Sequence, residues 1–116
     1  MNIFKKAIET YGKDMQLTVA IEEFSELIKE ICKSKRGSEN RGSILEEMAD
    51  CYIMLGQVRI IFCISQEEIN LEVNQKLDRL AGRLFGRLYK VNAHDANASK
   101  AEFPKFEFKE SENDDD

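Results

Sequence analysis

The chain has 116 residues, which is the size of a single small domain. Apolar residues make up 42% of the sequence and charged residues 34%, with one proline and no tryptophan, so the composition favours a helical bundle over a many-turned β-sandwich. No apolar run approaches the roughly 18 residues that span a bilayer. No signal-peptide core follows Met1. We therefore expect a cytoplasmic protein that makes no contact with a membrane.

The net charge of −5 resides at the C-terminal end of the chain. Residues 93–116 contain eight acidic residues and three lysines, so residues 1–92 are neutral overall. This division predicts a helical domain over residues 1–92 and a mobile acidic tail over residues 93–116. A neutral domain is not expected to bind duplex nucleic acid, which attracts basic surfaces. Three phenylalanines in the tail leave open that a short segment of it docks on the domain or on a neighbour (Phe103, Phe106 and Phe108).

The three cysteines follow no pattern that is typical of a metal site or of a disulfide framework. Their number is odd, and the spacing of Cys32, Cys51 and Cys63 contains no CxxC pair. We expect three reduced thiols in the protein core.

Two helices are expected before the polar loop at residues 37–42. The first is short, from Asn2 to Tyr11, and Gly12 interrupts it. The second is predicted from a cap at Asp14 to about Arg36, because apolar residues recur there every three or four positions. Its apolar face is expected to be buried.

Two further helices are each predicted to open with a capping box, in which a serine and a glutamate three positions later bond each other's backbone. Ser43 and Glu46 would open the third helix, and Ser65 and Glu68 the fourth. The third helix is apolar on most sides, which predicts a central position or a contact with a second subunit. The whole pattern predicts an all-α protein.

Carboxylates inside the second and third helices are the most informative feature of the sequence. Glu23 and Glu26 are three residues apart, as are Glu47 and Asp50, so each pair shares one side of its helix. Strongly apolar sequence follows each pair. The third helix has little polar surface on which a carboxylate without a functional role would lie. On an antiparallel helix pair the two acid pairs would face each other.

Four carboxylates brought together repel one another, and burial adds a desolvation penalty for each. A hard divalent cation relieves both problems, and ligands that are all oxygen select Mg²⁺ or Mn²⁺ rather than zinc. A di-iron bundle would need Glu-x-x-His pairs, and the only histidine, His94, lies outside the helices. The alternative is an ordinary solvated helix face, which we favour for Glu22 and Glu30.

Two cations in the fourth helix suggest a phosphate contact. Lys76 and Arg79 are three residues apart and share a side of the helix. Arginine binds phosphate oxygens with two parallel hydrogen bonds, and lysine offers a point charge. The alternative is a pair of solvated surface cations.

Three motifs in this order resemble the MazG-like nucleoside triphosphate pyrophosphohydrolases, which belong to the all-α NTP pyrophosphatase group. They are Glu-Glu-x-x-Glu at 22–26, Glu-x-x-Asp at 47–50 and Asn-x-Lys-x-x-Arg at 74–79, and the resemblance covers about residues 14–90. It implies a four-helix bundle that assembles as a homodimer or tetramer. It also implies Mg²⁺-dependent cleavage of a nucleoside triphosphate between the α and β phosphates, giving the monophosphate and pyrophosphate.

The resemblance also implies roles for individual residues. The acids would be the metal ligands and catalytic residues, with Glu26 or Glu47 as the general base toward an attacking water (Glu23, Glu26, Glu47 and Asp50). Lys76 and Arg79 would contact the phosphates, assisted by Asn74. Two alternatives stay open, a non-catalytic helical interaction module and a related hydrolase that acts on an alarmone or a dinucleotide.

Overall fold

The computed structural model describes residues 2–86, which form four α-helices and no strand. Helix α1 spans Ile3–Tyr11, α2 spans Lys13–Lys35, α3 spans Arg41–Ile61 and α4 spans Gln66–Phe85. The all-α prediction is confirmed. The predicted acidic tail lies outside the described residues, as does His94.

The described residues form two compact units. Residues 2–63 contain α1, α2 and α3, and residues 64–86 contain α4. In the first unit α2 and α3 make the most extensive contact, and α1 packs on both. Residues 36–40 reverse the chain between α2 and α3, so these two helices run antiparallel.

The apolar core of the first unit lies where its three helices meet. Its buried side chains come from all three (Phe4, Ile8, Ala20, Cys51 and Met54). Gly56 allows α1 to approach α3 closely, because a Cβ atom at this position would overlap the ring of Phe4. Gly42 on the same helix has no such neighbour within 4 Å among the described residues.

Replacing Gly56 with alanine is expected to destabilise the first unit. The added methyl group must displace the buried Phe4 ring, and overpacking of this kind costs about 1–3 kcal/mol. This exceeds the gain of about 1 kcal/mol from the better helix propensity of alanine. Urea denaturation measures the change in the free energy of unfolding. Gly42→Ala is the matched control, and a loss of stability as large as that of Gly56→Ala would contradict the packing argument.

The apolar face of α2 is only partly buried, contrary to the sequence expectation. Ile21, Ile28 and Ile31 are all exposed. The buried positions of α2 are instead Gln16, Ala20 and Glu30. Contact with α3 and α1 therefore covers only part of the apolar face and includes two polar residues.

The observed helix starts correct two predicted caps. Gly12, with φ 89°, precedes α2, so Asp14 lies inside the first turn and does not cap the helix. Helix α3 begins at Arg41, and the carbonyl of Asn40 accepts the bond from the amide of Ile44. Ser43 is therefore already inside the helix, and the predicted Ser43–Glu46 capping box is wrong.

The second predicted capping box is confirmed at the start of α4. The Ser65 hydroxyl oxygen accepts from the Glu68 amide at 3.1 Å, and the Glu68 carboxylate accepts from the Ser65 amide at 2.7 Å. The helix ends at Phe85, before Gly86 with φ 109°. Glycine suits this left-handed backbone because it has no Cβ atom.

All three cysteines are free thiols, but only Cys51 is buried. The prediction of three core thiols is wrong for Cys32 and Cys63, which are exposed. Among the described residues no single helix is both long and apolar enough to cross a membrane. Helices α3 and α4, taken together as one broken span, reach that threshold by length and composition alone.

Candidate functional site

Three of the four predicted acids converge between α2 and α3. Glu23 on α2 and Glu47 and Asp50 on α3 each bring one carboxylate oxygen to within 4.8 Å of the others. Glu23 and Glu47 are half-buried and Asp50 is exposed. The antiparallel arrangement of the two helices therefore brings acids of both predicted pairs face to face.

Glu26, the fourth predicted acid, stands apart from this group. It is exposed and lies one turn further along α2 than Glu23. Its charge nevertheless acts on Glu47, where it helps to raise the pKa. Glu26 is therefore near the three converging carboxylates without being one of them. We call Glu23, Glu47 and Asp50 the acid cluster.

Two carboxyl groups of the acid cluster, those of Glu23 and Glu47, have raised pKa values. Burial raises the pKa of Glu23, and the Asp50 charge and a hydrogen bond between these two carboxyl groups raise it further. Burial also raises the pKa of Glu47, followed by the charges of Asp50 and Glu26. All of these effects favour a positive charge at the cluster, either a proton or a metal ion.

One oxygen of the acid cluster has no hydrogen-bond donor among the described residues. Oε2 of Glu47 is buried, and none of the described residues forms a hydrogen bond with it. An unsatisfied buried acceptor destabilises the folded state, and a charged one does so more strongly. A divalent cation would satisfy this oxygen. The donor set consists of carboxylate oxygens alone, which fits Mg²⁺ or Mn²⁺.

Cys51 links α3 to α2 beside the acid cluster through a hydrogen bond. Its thiol donates a hydrogen bond to the backbone carbonyl of Glu23 across 3.4 Å. Burial raises the pKa of Cys51, and the charges of Glu23, Glu47 and Asp50 add to the effect. The thiol thus stays protonated at neutral pH. It acts as a donor between helices rather than as a nucleophile.

Glu30 is not the solvated surface acid that the sequence suggested. It is only 9% exposed and accepts from Asn40 Nδ2 at 2.6 Å and from Lys33 Nζ at 3.1 Å. The bond from Asn40 and then the bond from Lys33 hold the pKa of Glu30 below its usual value. Its spacing of seven residues from Glu23 is the only sequence signal for this position. No signal marks Asn40, which lies in the polar loop.

The three predicted phosphate-binding residues lie on α4, in the second unit. Asn74 is half-buried, and Lys76 and Arg79 are exposed. Nζ of Lys76 lies 3.8 Å from Oε1 of Glu72, an exposed pair of the kind that contributes little to stability. The acid cluster belongs to the first unit.

Comparison of the chain with known protein families, with curated proteins and with solved structures finds no match. The geometry of the acid cluster and the order of the sequence motifs therefore form the basis for assigning a function.

Proposed function

We propose that this protein is a metal-dependent nucleoside triphosphate pyrophosphohydrolase of the MazG-like type. The observation that carries the proposal is the convergence of Glu23, Glu47 and Asp50 within 4.8 Å between two antiparallel helices. The ordered motifs at 22–26, 47–50 and 74–79 support the same assignment. The substrate is a nucleoside or deoxynucleoside triphosphate, cleaved between the α and β phosphates.

The acid cluster would hold Mg²⁺, with Mn²⁺ as a substitute. Bound cations supply charge neutralisation for the triphosphate and for the leaving pyrophosphate. Glu26 is the best candidate for the general base, because it lies beside the cluster and its carboxylate is not one of the converging three. It would accept a proton from the water that attacks the α phosphorus.

The remaining parts of the proposal concern α4 and assembly. In a four-helix bundle of the MazG type, α4 would present Lys76 and Arg79 to the phosphates, with Asn74 assisting. The protein would assemble as a homodimer or tetramer and act in the cytoplasm. Exposure of Lys76 and Arg79 leaves both side chains accessible to a substrate.

Product identification tests the activity directly. The full chain is incubated with a panel of ribonucleoside and deoxynucleoside triphosphates and Mg²⁺ in ¹⁸O-labelled water. We expect a nucleoside monophosphate and pyrophosphate, with the label in the monophosphate, because water attacks the α phosphorus. Release of a nucleoside diphosphate and phosphate would contradict the proposal. Including dinucleotides and alarmones in the panel separates the related hydrolase from a triphosphate-specific one.

A thermal-shift measurement separates the enzyme from a non-catalytic interaction module. A ligand that binds only the native state raises the apparent stability according to its concentration and affinity. We expect a non-hydrolysable nucleoside triphosphate analogue to raise the melting temperature only when Mg²⁺ is present. An interaction module whose acids are structural would give no such shift.

Removal of the acidic tail is expected to leave the chemistry intact. Residues 93–116 carry the net charge of the chain but none of the motif residues. Truncation after Asn92 should leave turnover within a few-fold of the full chain, measured as pyrophosphate release. Complete loss of turnover would instead assign the tail, with its three phenylalanines, a role at the site.

A further inference from the structure

Asn40 has an unusual role for a residue at the start of a helix. Asparagine in this position commonly caps its own helix by accepting an early backbone amide bond. The side chain of Asn40 makes no such bond to α3. Its Nδ2 group instead donates to the backbone carbonyl of Glu30 at 2.8 Å and to the Glu30 carboxylate at 2.6 Å. The amide therefore joins α3 to α2.

This orientation leaves Oδ1 of Asn40 buried, without a hydrogen-bond partner among the described residues. Both Nδ2 contacts go to a residue that is itself only 9% exposed. A hydrogen bond to a carboxylate is stronger than one between neutral groups. The two bonds thus fix α3 against α2 at one point, although the amide oxygen stays unsatisfied. We call Glu30 and Asn40 the register pair.

The register pair lies two helical turns from the acid cluster on both helices. Glu30 follows Glu23 by seven residues on α2, and Asn40 precedes Glu47 by seven residues on α3. Because the helices are antiparallel and the two spacings are equal, a single axial alignment of α2 and α3 places Glu30 opposite Asn40 and also Glu23 opposite Glu47. If one helix slid along the other, the bonds between Glu30 and Asn40 would break and the carboxylates of the acid cluster would separate at the same time.

We propose that Glu30 and Asn40 are positioning residues that fix the axial register of α2 against α3 and so hold the acid cluster in its binding geometry. The inference rests on the proposed function insofar as the cluster binds a cation. The repulsion between the carboxylates would otherwise drive the helices apart at the cluster. The bond between Cys51 and the Glu23 carbonyl also links the two helices.

Reversing the polarity of the register pair tests the proposal. Asn40→Asp opposes two carboxylates and removes the donor. The double variant Glu30→Gln/Asn40→Asp restores one of the two bonds in the opposite sense, from the new amide on α2 to the new carboxylate at the start of α3, at the original net charge. The bond to the backbone carbonyl of residue 30 is not restored, because a carboxylate cannot donate. Mn²⁺ affinity is measured by electron paramagnetic resonance of the free ion. We expect Asn40→Asp to weaken Mn²⁺ binding about 10- to 100-fold, as loss of a supporting residue does, and the double variant to recover part of the lost affinity.

The sign of this effect excludes a purely electrostatic explanation. Asn40→Asp adds a negative charge, which by itself would strengthen the binding of a cation. Weaker Mn²⁺ binding by Asn40→Asp would therefore indicate that the geometry of the acid cluster has changed. Unchanged or tighter binding by Asn40→Asp would overturn the proposal. If the double variant does not fold, Asn40→Ala decides, since it removes the donor and adds no charge; unchanged Mn²⁺ affinity in that variant would also overturn it.

A second readout needs no metal. In a Cys32→Ser/Cys63→Ser background, Cys51 is the only thiol, and its burial protects it from a thiol reagent. We expect Asn40→Asp to speed its modification several-fold and the double variant to restore part of the protection. Gly56→Ala, which disturbs α1 instead, is the control for general loss of stability. If the wild-type chain binds no Mn²⁺, the proposed function fails. The rates of thiol modification still test whether Glu30 and Asn40 fix the helix register. Equal rates in the wild type and all variants would overturn that role.

Discussion

Replacing Asp50 with asparagine is expected to reduce Mg²⁺-dependent hydrolysis of nucleoside triphosphates by about 100-fold or more. Asp50 brings an oxygen to within 4.8 Å of Glu23 and Glu47, and its loss removes a negative charge and one of the proposed metal ligands from the acid cluster. Glu47→Gln should have a similar effect. Pyrophosphate release at saturating Mg²⁺ and nucleotide measures the change in turnover.

The matched control is Glu46→Gln, because Glu46 is an exposed acid on the same helix and lies outside the acid cluster. It removes the same charge from α3, and we expect turnover within a few-fold of the wild type. Full activity of both Asp50→Asn and Glu47→Gln at saturating Mg²⁺ would show that the cluster is not the active site.

Without metal, Asp50→Asn is expected to stabilise the protein at neutral pH. A carboxyl group with a raised pKa binds its proton more tightly in the folded state, so stability falls as pH rises from the ordinary pKa through the raised one. Glu23 and Glu47 both follow this pattern, and Asp50 contributes to each shift. Thermal unfolding in EDTA between pH 4 and 8 should therefore show a smaller decline in the variant. Glu30, with its lowered pKa, acts in the opposite direction in both proteins.

The helices of this protein were largely predictable because their signals are local. The break at Gly12, the capping box at Ser65 and the spacing of apolar residues each depend on neighbours within a few positions. The start of α3 was missed for the opposite reason. Asn40 is held by Glu30, ten residues earlier, and a tertiary bond of this kind leaves no mark in a local capping pattern.

The acid cluster was partly predictable by the same logic. Spacing alone put Glu47 and Asp50 on one side of α3, and an antiparallel partner then brought Glu23 to them. Whether Glu26 would belong to the acid cluster depended on the rotation of α2 about its own axis, and the spacing of apolar residues does not determine that rotation. The burial of Glu30 had the same cause, since the side of α2 that packs in the first unit includes Glu30 and leaves Ile28 and Ile31 exposed.

Four exposed apolar side chains of α3 and its C-terminal end predict that the protein associates with a second copy of itself. They recur at spacings of three and seven residues, which puts them on one side of the helix (Leu45, Met48, Leu55 and Phe62). Leu55 is 54% exposed and Phe62 58%. Soluble monomers rarely expose a continuous apolar patch of this kind. A two-fold axis would set the same stripe of two copies against each other and bury it.

Leu55→Glu is expected to break this assembly into single chains. Burying the new carboxylate at the centre of an apolar contact is strongly unfavourable, whereas in the monomer it stays in water. Light scattering at high protein concentration should give the mass of a dimer or a larger even-numbered assembly for the wild type and of one chain for the variant. Turnover should fall with the mass if the two subunits share a site. Thr10→Glu adds the same charge at an exposed polar position of α1 and should leave the mass unchanged. A fully active wild-type protein with the mass of one chain would contradict the predicted assembly, because the apolar stripe of α3 would then have no second copy to cover it.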